Sequence, residues 1–171
     1  MKRLSDALRK EFIHLGLIAR SREEALRELI HRLSAAKVVT DEETFFEAVM
    51  AREQLQSTGI GGGVAIPHAR SKGIKRLTVV LGRYDRGVDF AALDGKPVQL
   101  IFLVAAPQDA AGAYIQTVAK VARLVKSRTH KGKLLEAKSS EEVAELISGF
   151  DRQFPRDIQV KRTKDGRVIH P

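Results

Sequence analysis

Apolar residues recur at helical spacing after residue 24, with Ala25, Leu29, Ile30 and Leu33 on one stripe. Ser21-Arg22-Glu23-Glu24 stands just ahead of them as a capping box. The serine oxygen accepts from the third-position amide and the glutamate reaches back to the serine amide. The spacing predicts a helix from there to about Ala36, with His31 on its solvent-facing flank. Val38-Val39 breaks the pattern. Thr40 or Asp41 then caps a second predicted helix, with apolar Phe45, Phe46, Val49 and Met50 and with Ala51-Arg52-Glu53-Gln54 at its end. A third is predicted over about residues 109–127, burying Ile115, Val118, Val121, Ala122 and Val125. Shorter helices are predicted over 4–10, near 131–137 and from Ser140, where Ser139 is the cap and Val143, Leu146 and Ile147 form the stripe.

Between these stretches the period changes. Phe12-Ile13-His14-Leu15-Gly16-Leu17 alternates, which makes His14 an edge or internally satisfied histidine rather than a ligand. Val64-Ala65-Ile66 is a short buried strand ended by Pro67. Residues 69–76 form a basic loop, 77–84 a strand, 85–87 a turn, and 89–97 an irregular loop with a turn at Asp94-Gly95. Residues 98–106 are apolar on both faces, as a central strand covered by helices should be, and Pro107 ends it. The alternation of helices and strands predicts an α/β fold: a mixed β-sheet flanked by helices, a three-layer sandwich. The core ends near Phe150, giving a domain over 1–150. Residues 151–171 alternate around Asp165-Gly166 and predict a basic C-terminal hairpin or tail.

Composition narrows the function classes. The chain has 171 residues, enough for one domain with a core and a short appendage. No apolar run approaches the ~20 residues that span a bilayer. The N-terminus lacks a signal-peptide core, so a cytoplasmic protein is expected. The absence of cysteine excludes disulfides, thiolate chemistry and Cys-type zinc sites. The net charge of +9 points towards anionic partners. Its densest acid-free stretch carries Lys120, Arg123, Lys126, Arg128, Lys131 and Lys133. No aromatic residue is interleaved there as single-strand stacking needs, so a solvated helix face is expected rather than a nucleic-acid surface.

The candidate chemistry lies in Ser57-Thr58-Gly59-Ile60-Gly61-Gly62-Gly63-Val64-Ala65-Ile66-Pro67-His68-Ala69-Arg70. A short rigid strand delivers His68 beside bare backbone amides and two hydroxyls. Neutral imidazole is available near pH 7 as nucleophile, base or ligand. A metal site lacks a second ligand at suitable spacing. A Ser-His-Asp hydrolase lacks a nucleophile elbow, and the glycines lack the Gly-Lys-Ser/Thr ending of a P-loop. From spacing alone, chemistry on an anion and a histidine merely packed at a strand end both remain open.

The run from Arg52 to Ala69 resembles the phosphorylation signature of enzyme IIA domains of the bacterial phosphoenolpyruvate-dependent sugar phosphotransferase system, of the fructose/mannitol type and closest to the nitrogen-regulatory branch. Gly87-Val88-Asp89-Phe90-Ala91-Ala92-Leu93-Asp94-Gly95-Lys96-Pro97-Val98 resembles that family's second signature, and the likeness covers roughly residues 4–150. The resemblance implies a phosphocarrier without cofactor or metal. His68 would accept a phosphoryl group from a histidine-containing phosphocarrier protein, then pass it to a IIB domain or signal to a regulatory protein. Arg52 matches the family's active-site arginine. Gly61, Gly62 and Gly63 would offer amides to the phosphoryl oxygens, and Ser57 or Thr58 a hydroxyl. The regulatory variant is expected because no IIB or IIC segment is attached. One position departs. Tyr114, in Tyr114-Ile115-Gln116-Thr117-Val118-Ala119, stands where the family usually has a second, supporting histidine. A phenol donates a hydrogen bond but carries no positive charge near neutral pH, which implies an altered rate or phosphohistidine lifetime. His130, about four turns downstream, does not replace it. The alternative reading is a non-phosphorylated binding module for an acidic protein or nucleic acid.

Overall fold

Val98–Pro107 forms the strand around which the sheet is built, in a computed structural model that describes residues 3–159 and the backbone of Lys161–Arg162 and Val168–Ile169. Its residues from Leu100 to Ala106 are all buried, as the apolar run predicts. In chain order the elements are α1 (Leu4–Ala7), a 3-10 turn (Lys10–Phe12), β1 (Ile13–His14), α2 (Arg22–Ala35), α3 (Glu42–Leu55), β2 (Gly59–Gly61), β3 (Val64–Ala65), β4 (His68–Ser71), β5 (Thr78–Val88), β6 (Val98–Pro107), α4 (Ala111–Lys126), α5 (Arg128–Glu136), α6 (Ser140–Gln153), β7 (Lys161–Arg162) and β8 (Val168–Ile169).

The sheet order is β1-β5-β6-β3-β2, with β4 also on β6. β5 runs antiparallel to β6, whereas β1 is parallel to β5 and both β3 and β4 are parallel to β6. The sheet is therefore mixed. α2 and α3 pack on each other and against β5 and β4; α4 and α6 contact β6 and β1 and group with α1 and α5. This is the expected sandwich. Ser21, Asp41, Ser127 and Ser139 each cap a helix by accepting from a first-turn amide.

Three differences from the sequence reading position the site. First, residues 69–71, expected to open the basic loop, belong with His68 to strand β4. Val64 pairs with Leu100 and His68 with Val104, so β3 and β4 continue one register, interrupted only at Ile66 and Pro67. Pro67 has no N–H to give the ladder, yet its carbonyl still accepts from Val104 N at 2.9 Å. Second, the glycines form a β2–β3 hairpin turn, where Gly61, Gly62 and Gly63 take φ of +93°, +65° and +78°. Successive left-handed residues are affordable only to glycine. Third, β5 runs through the predicted turn at 85–87, with a register shift between Arg83 and Val88.

Packing also continues beyond Phe150. The Asp151 carboxylate accepts from Leu4 N and Ser5 N, both at 2.9 Å, tying the first helix to α6. Ile158 is buried, and Gln116 on α4 both donates to its carbonyl and accepts from its amide. Farther on, Lys161–Arg162 pairs antiparallel with Val168–Ile169; the Asp165-Gly166 turn expected between them lies outside the described residues.

Candidate functional site

His68 opens β4, half-buried, while Ala69 and Ser71 are buried and Arg70 is exposed. Strand alternation thus puts His68 and Arg70 on one side. The His68 Nδ1 lies 2.6 Å from the Ile66 carbonyl. A carbonyl only accepts, so Nδ1 carries the proton and neutral His68 has its lone pair on Nε2. Ile66 N is in turn held by Thr58 O at 2.9 Å. The interruption of the strand at Ile66 and Pro67 therefore fixes both the position and the tautomer of the imidazole.

Tyr114, in the first turn of α4, completes the other side. Its ring centroid is 5.6 Å from that of His68, tilted by 56°. The Arg70 guanidinium lies 5.7 Å from the Tyr114 ring centroid, and Arg70 Nη1 donates to Gln108 O at 3.0 Å. Burial pushes the Tyr114 phenol up to about 12, opposed by the positive charges of Arg52 and Arg70. Both arginines thus act on the ring that faces His68. Arg52 also donates to the Gln56 carbonyl at 2.8 Å, closing the C-terminal end of α3. One arginine serves as helix-end cation and as part of the positive field.

The first turn of α4 adds backbone donors. Its N-cap, Ala110, offers no side-chain cap, and the turn contains no acidic residue. The early amides of a helix lack internal partners and carry partial positive charge. His68 follows the carboxyl end of β3 and lies level with the carboxyl half of β6, from which the chain runs on to Tyr114 and the start of α4; such strand ends are where α/β sheets usually take ligands.

Other expected site residues stand elsewhere. Gly63 O accepts from Gln99 N and Leu100 N, whereas His68 lies level with Val104. That separation is about 15 Å along β6, so Gly61, Gly62 and Gly63 cannot cradle a phosphoryl group on His68. Gly62 N instead donates to Asp94 at 3.1 Å. Ser57 donates its hydroxyl to Phe90 O. Thr58 is buried and donates its hydroxyl to the Glu53 carboxylate, which also accepts from Thr58 N at 3.1 Å. These two hydroxyls hold the entrance of the hairpin.

Two residues were not singled out from the sequence. Arg70 was detectable by the two-residue period after His68. Glu53, almost fully buried, had no sequence signal, because its partners Thr58 and Arg22, the latter 3.9 Å away, meet it only in the fold. His130 packs edge-on against Phe150, 5.9 Å between centroids.

Comparison with known proteins gives one consistent result. Residues 6–149 match the family described as phosphoenolpyruvate-dependent sugar phosphotransferase system, EIIA 2. A fructose-specific EIIABC component of Bacillus subtilis is 31% identical over 88% of this chain, which spans only 24% of that larger protein. The crystal structure of the nitrogen regulatory protein IIA-Ntr from Neisseria meningitidis has a TM-score of 0.78 and 33% identity, covering 84% of this chain and 98% of its own. Mannitol IIA from Escherichia coli, solved in complex with phosphorylated mannitol IIB, has a TM-score of 0.70 and 27% identity, covering 81% and 95%.

Proposed function

The chain belongs to the EIIA 2 family of the phosphoenolpyruvate-dependent sugar phosphotransferase system, and on that premise we propose that His68 Nε2 is its phosphoryl acceptor. The observation that carries this reading is the 2.6 Å contact between Nδ1 and Ile66 O, which leaves the nucleophilic lone pair on Nε2. The donor is the phosphohistidine of a small phosphocarrier protein. Nε2 attacks the phosphorus in line with the departing nitrogen. The Nε2–P bond forms as the donor's N–P bond breaks, and the electron pair leaves with the donor imidazole. The proton stays on Nδ1, where Ile66 O stabilises the phosphoimidazolium.

Such a transfer rests on positioning and charge stabilisation. Arg52 and Arg70 supply the charge, the Tyr114 hydroxyl a neutral donor, and the first amides of α4 the backbone contacts assigned from sequence to the glycines. Afterwards the phosphoryl group passes to a IIB-type domain, or its charge alters the docking of a regulatory protein in the cytoplasm. Likeness to a nitrogen regulatory protein supports the second outcome.

The test is incubation with phosphoenolpyruvate, enzyme I and the phosphocarrier, followed by intact mass. The wild type gains one phosphoryl group and His68→Ala gains none. No gain in the wild type with cognate carrier would favour the binding-module reading.

A further inference from the structure

A cavity of about 930 Å³ lies between the β2–β3 hairpin, α4, α5 and the strap at 157–159. It is separate from the His68 site, since Val64 in its wall pairs with Leu100 whereas His68 pairs with Val104. Its floor is apolar: Val64, Ala119, Ala122, Val125 and Ile158. Its rim is cationic: Arg123, Lys126, Arg128 and Lys131. The one acidic lining residue is Asp157, and its carboxylate is held 3.1 Å from Lys120 Nζ, on a side chain only 7% exposed.

Three of the rim charges, Arg123, Arg128 and Lys131, are placed without a neutralising carboxylate among the described residues. Arg123 stacks over Phe154 at 4.2 Å, and Lys131 Nζ donates to the uncharged Gly62 carbonyl at 3.1 Å. Among the described residues, Arg123, Arg128 and Lys131 have no carboxylate within ion-pair distance. An apolar floor favours an apolar body, and clustered cations beside it favour an acidic head. The size suits a small molecule. The chain's own C-terminal residues 160–171 carry four Lys/Arg and one Asp, the same sign as the rim, which disfavours them as occupant.

We propose that this cavity binds a small amphipathic anion, an apolar chain ending in a phosphate or carboxylate, independently of the phosphoryl chemistry at His68. The apolar chain lies on Val125 and Ile158, and the head meets Arg128 and Lys131. The ligand is freely diffusing rather than a lipid within a bilayer, because the strap carrying Ile158 walls one side of the cavity.

The experiment titrates the full chain with dodecyl phosphate below its micelle concentration, by calorimetry and by amide and methyl NMR. Inorganic phosphate, neutral octyl glucoside and phosphatidylglycerol vesicles are the comparators. Saturable single-site binding is expected, with shifts at Ala119, Val125 and Ile158 and with both small comparators at least about tenfold weaker. Ala122→Trp fills the floor and Arg128→Glu reverses a rim charge; each weakens binding by about tenfold or more while phosphorylation of His68 is retained. No saturable binding up to about 1 mM overturns the proposal, as does binding indifferent to both substitutions or seen with vesicles alone. Contacts from Val168 or Ile169 to Ala122 in the ligand-free protein would assign the cavity to the chain's own tail. A dimer abolished by Ala122→Trp would assign it to a second copy.

Discussion

The Tyr114 ring and the His68 imidazole face each other with centroids 5.6 Å apart and planes tilted by 56°. This contact joins the strand that carries His68 to the helix that begins the opposite wall. It also sets the chemistry of that wall. A phenol held up to about 12 stays neutral across the physiological range, so it donates a hydrogen bond and adds no charge. The positive charge near His68 then comes from arginine.

Removing the Tyr114 hydroxyl should therefore slow phosphoryl transfer without emptying the wall. Tyr114→Phe is expected to lower the rate of acceptance by about tenfold, the worth of one hydrogen bond to a charged group. Tyr114→His should add a pH limb near the imidazole value of ~6.5, with faster transfer on its acidic, charged side. Rapid-quench phosphorylation across pH 5.5–8 measures both (the range spanning that ~6.5 value). Identical profiles for wild type and Tyr114→His would contradict the assigned role.

Arg70 is the clearer test of the positive field, because it is exposed and its loss leaves the core alone. Arg70→Ala should lower transfer by about 10²-fold with unchanged unfolding, as for loss of one preorganised charge-stabilising donor. Arg52→Ala should do the same and in addition cost about 0.5–1 kcal/mol, since Arg52 also closes the end of α3. Kinetics paired with urea unfolding separates the two effects.

Glu53 should matter for stability. Its buried carboxylate accepts from both the Thr58 amide and the Thr58 hydroxyl. Glu53→Ala strands both donors and should cost about 3 kcal/mol, read as a lower urea midpoint at unchanged m-value. Thr58→Val, which removes one donor and leaves the carboxylate buried, should also destabilise.

The pH dependence of stability has a predicted sign at each end. Burial, and then the Arg32 guanidinium 3.1 Å away, lower the His14 pKa. The unfolded histidine binds a proton below about 6.5 while the folded one resists it, so this stability is present above that pH and lost as pH falls. Burial raises the Tyr84 pKa. The unfolded phenol ionises above about 10 and the folded one does not, so stability is lost as pH rises beyond that. His14→Gln should flatten the acid limb and Tyr84→Phe the alkaline limb of a stability–pH curve.

Most of the framework was legible because it rests on local pattern. The stripe from Ala25 to Leu33, the caps Ser21 and Ser139, and the doubly apolar run in β6 each state their own element. The resemblance around His68 and Asp94 identified the family. What escaped depends on register. β4 looked like a basic loop because Arg70 and Lys72 mask its alternation, and only pairing with Val104 to Pro107 makes it a strand. The glycines looked like a phosphate cradle because they are near His68 in sequence. The extended β3 strand and Pro67 carry His68 about 15 Å away from them. Lys120 looked solvent-exposed by type, yet the strap folds Asp157 over it.

The central claim is that the phosphoryl group resides on Nε2 of His68. Phosphorus–proton correlation NMR on the protein phosphorylated through enzyme I and the phosphocarrier reads this directly. The account predicts phosphorus coupled to both ring carbon protons of a single histidine, the pattern of an Nε2 adduct, absent in His68→Ala. Coupling to one ring proton only, an adduct on another residue, or no phosphorylation by a cognate carrier would contradict it.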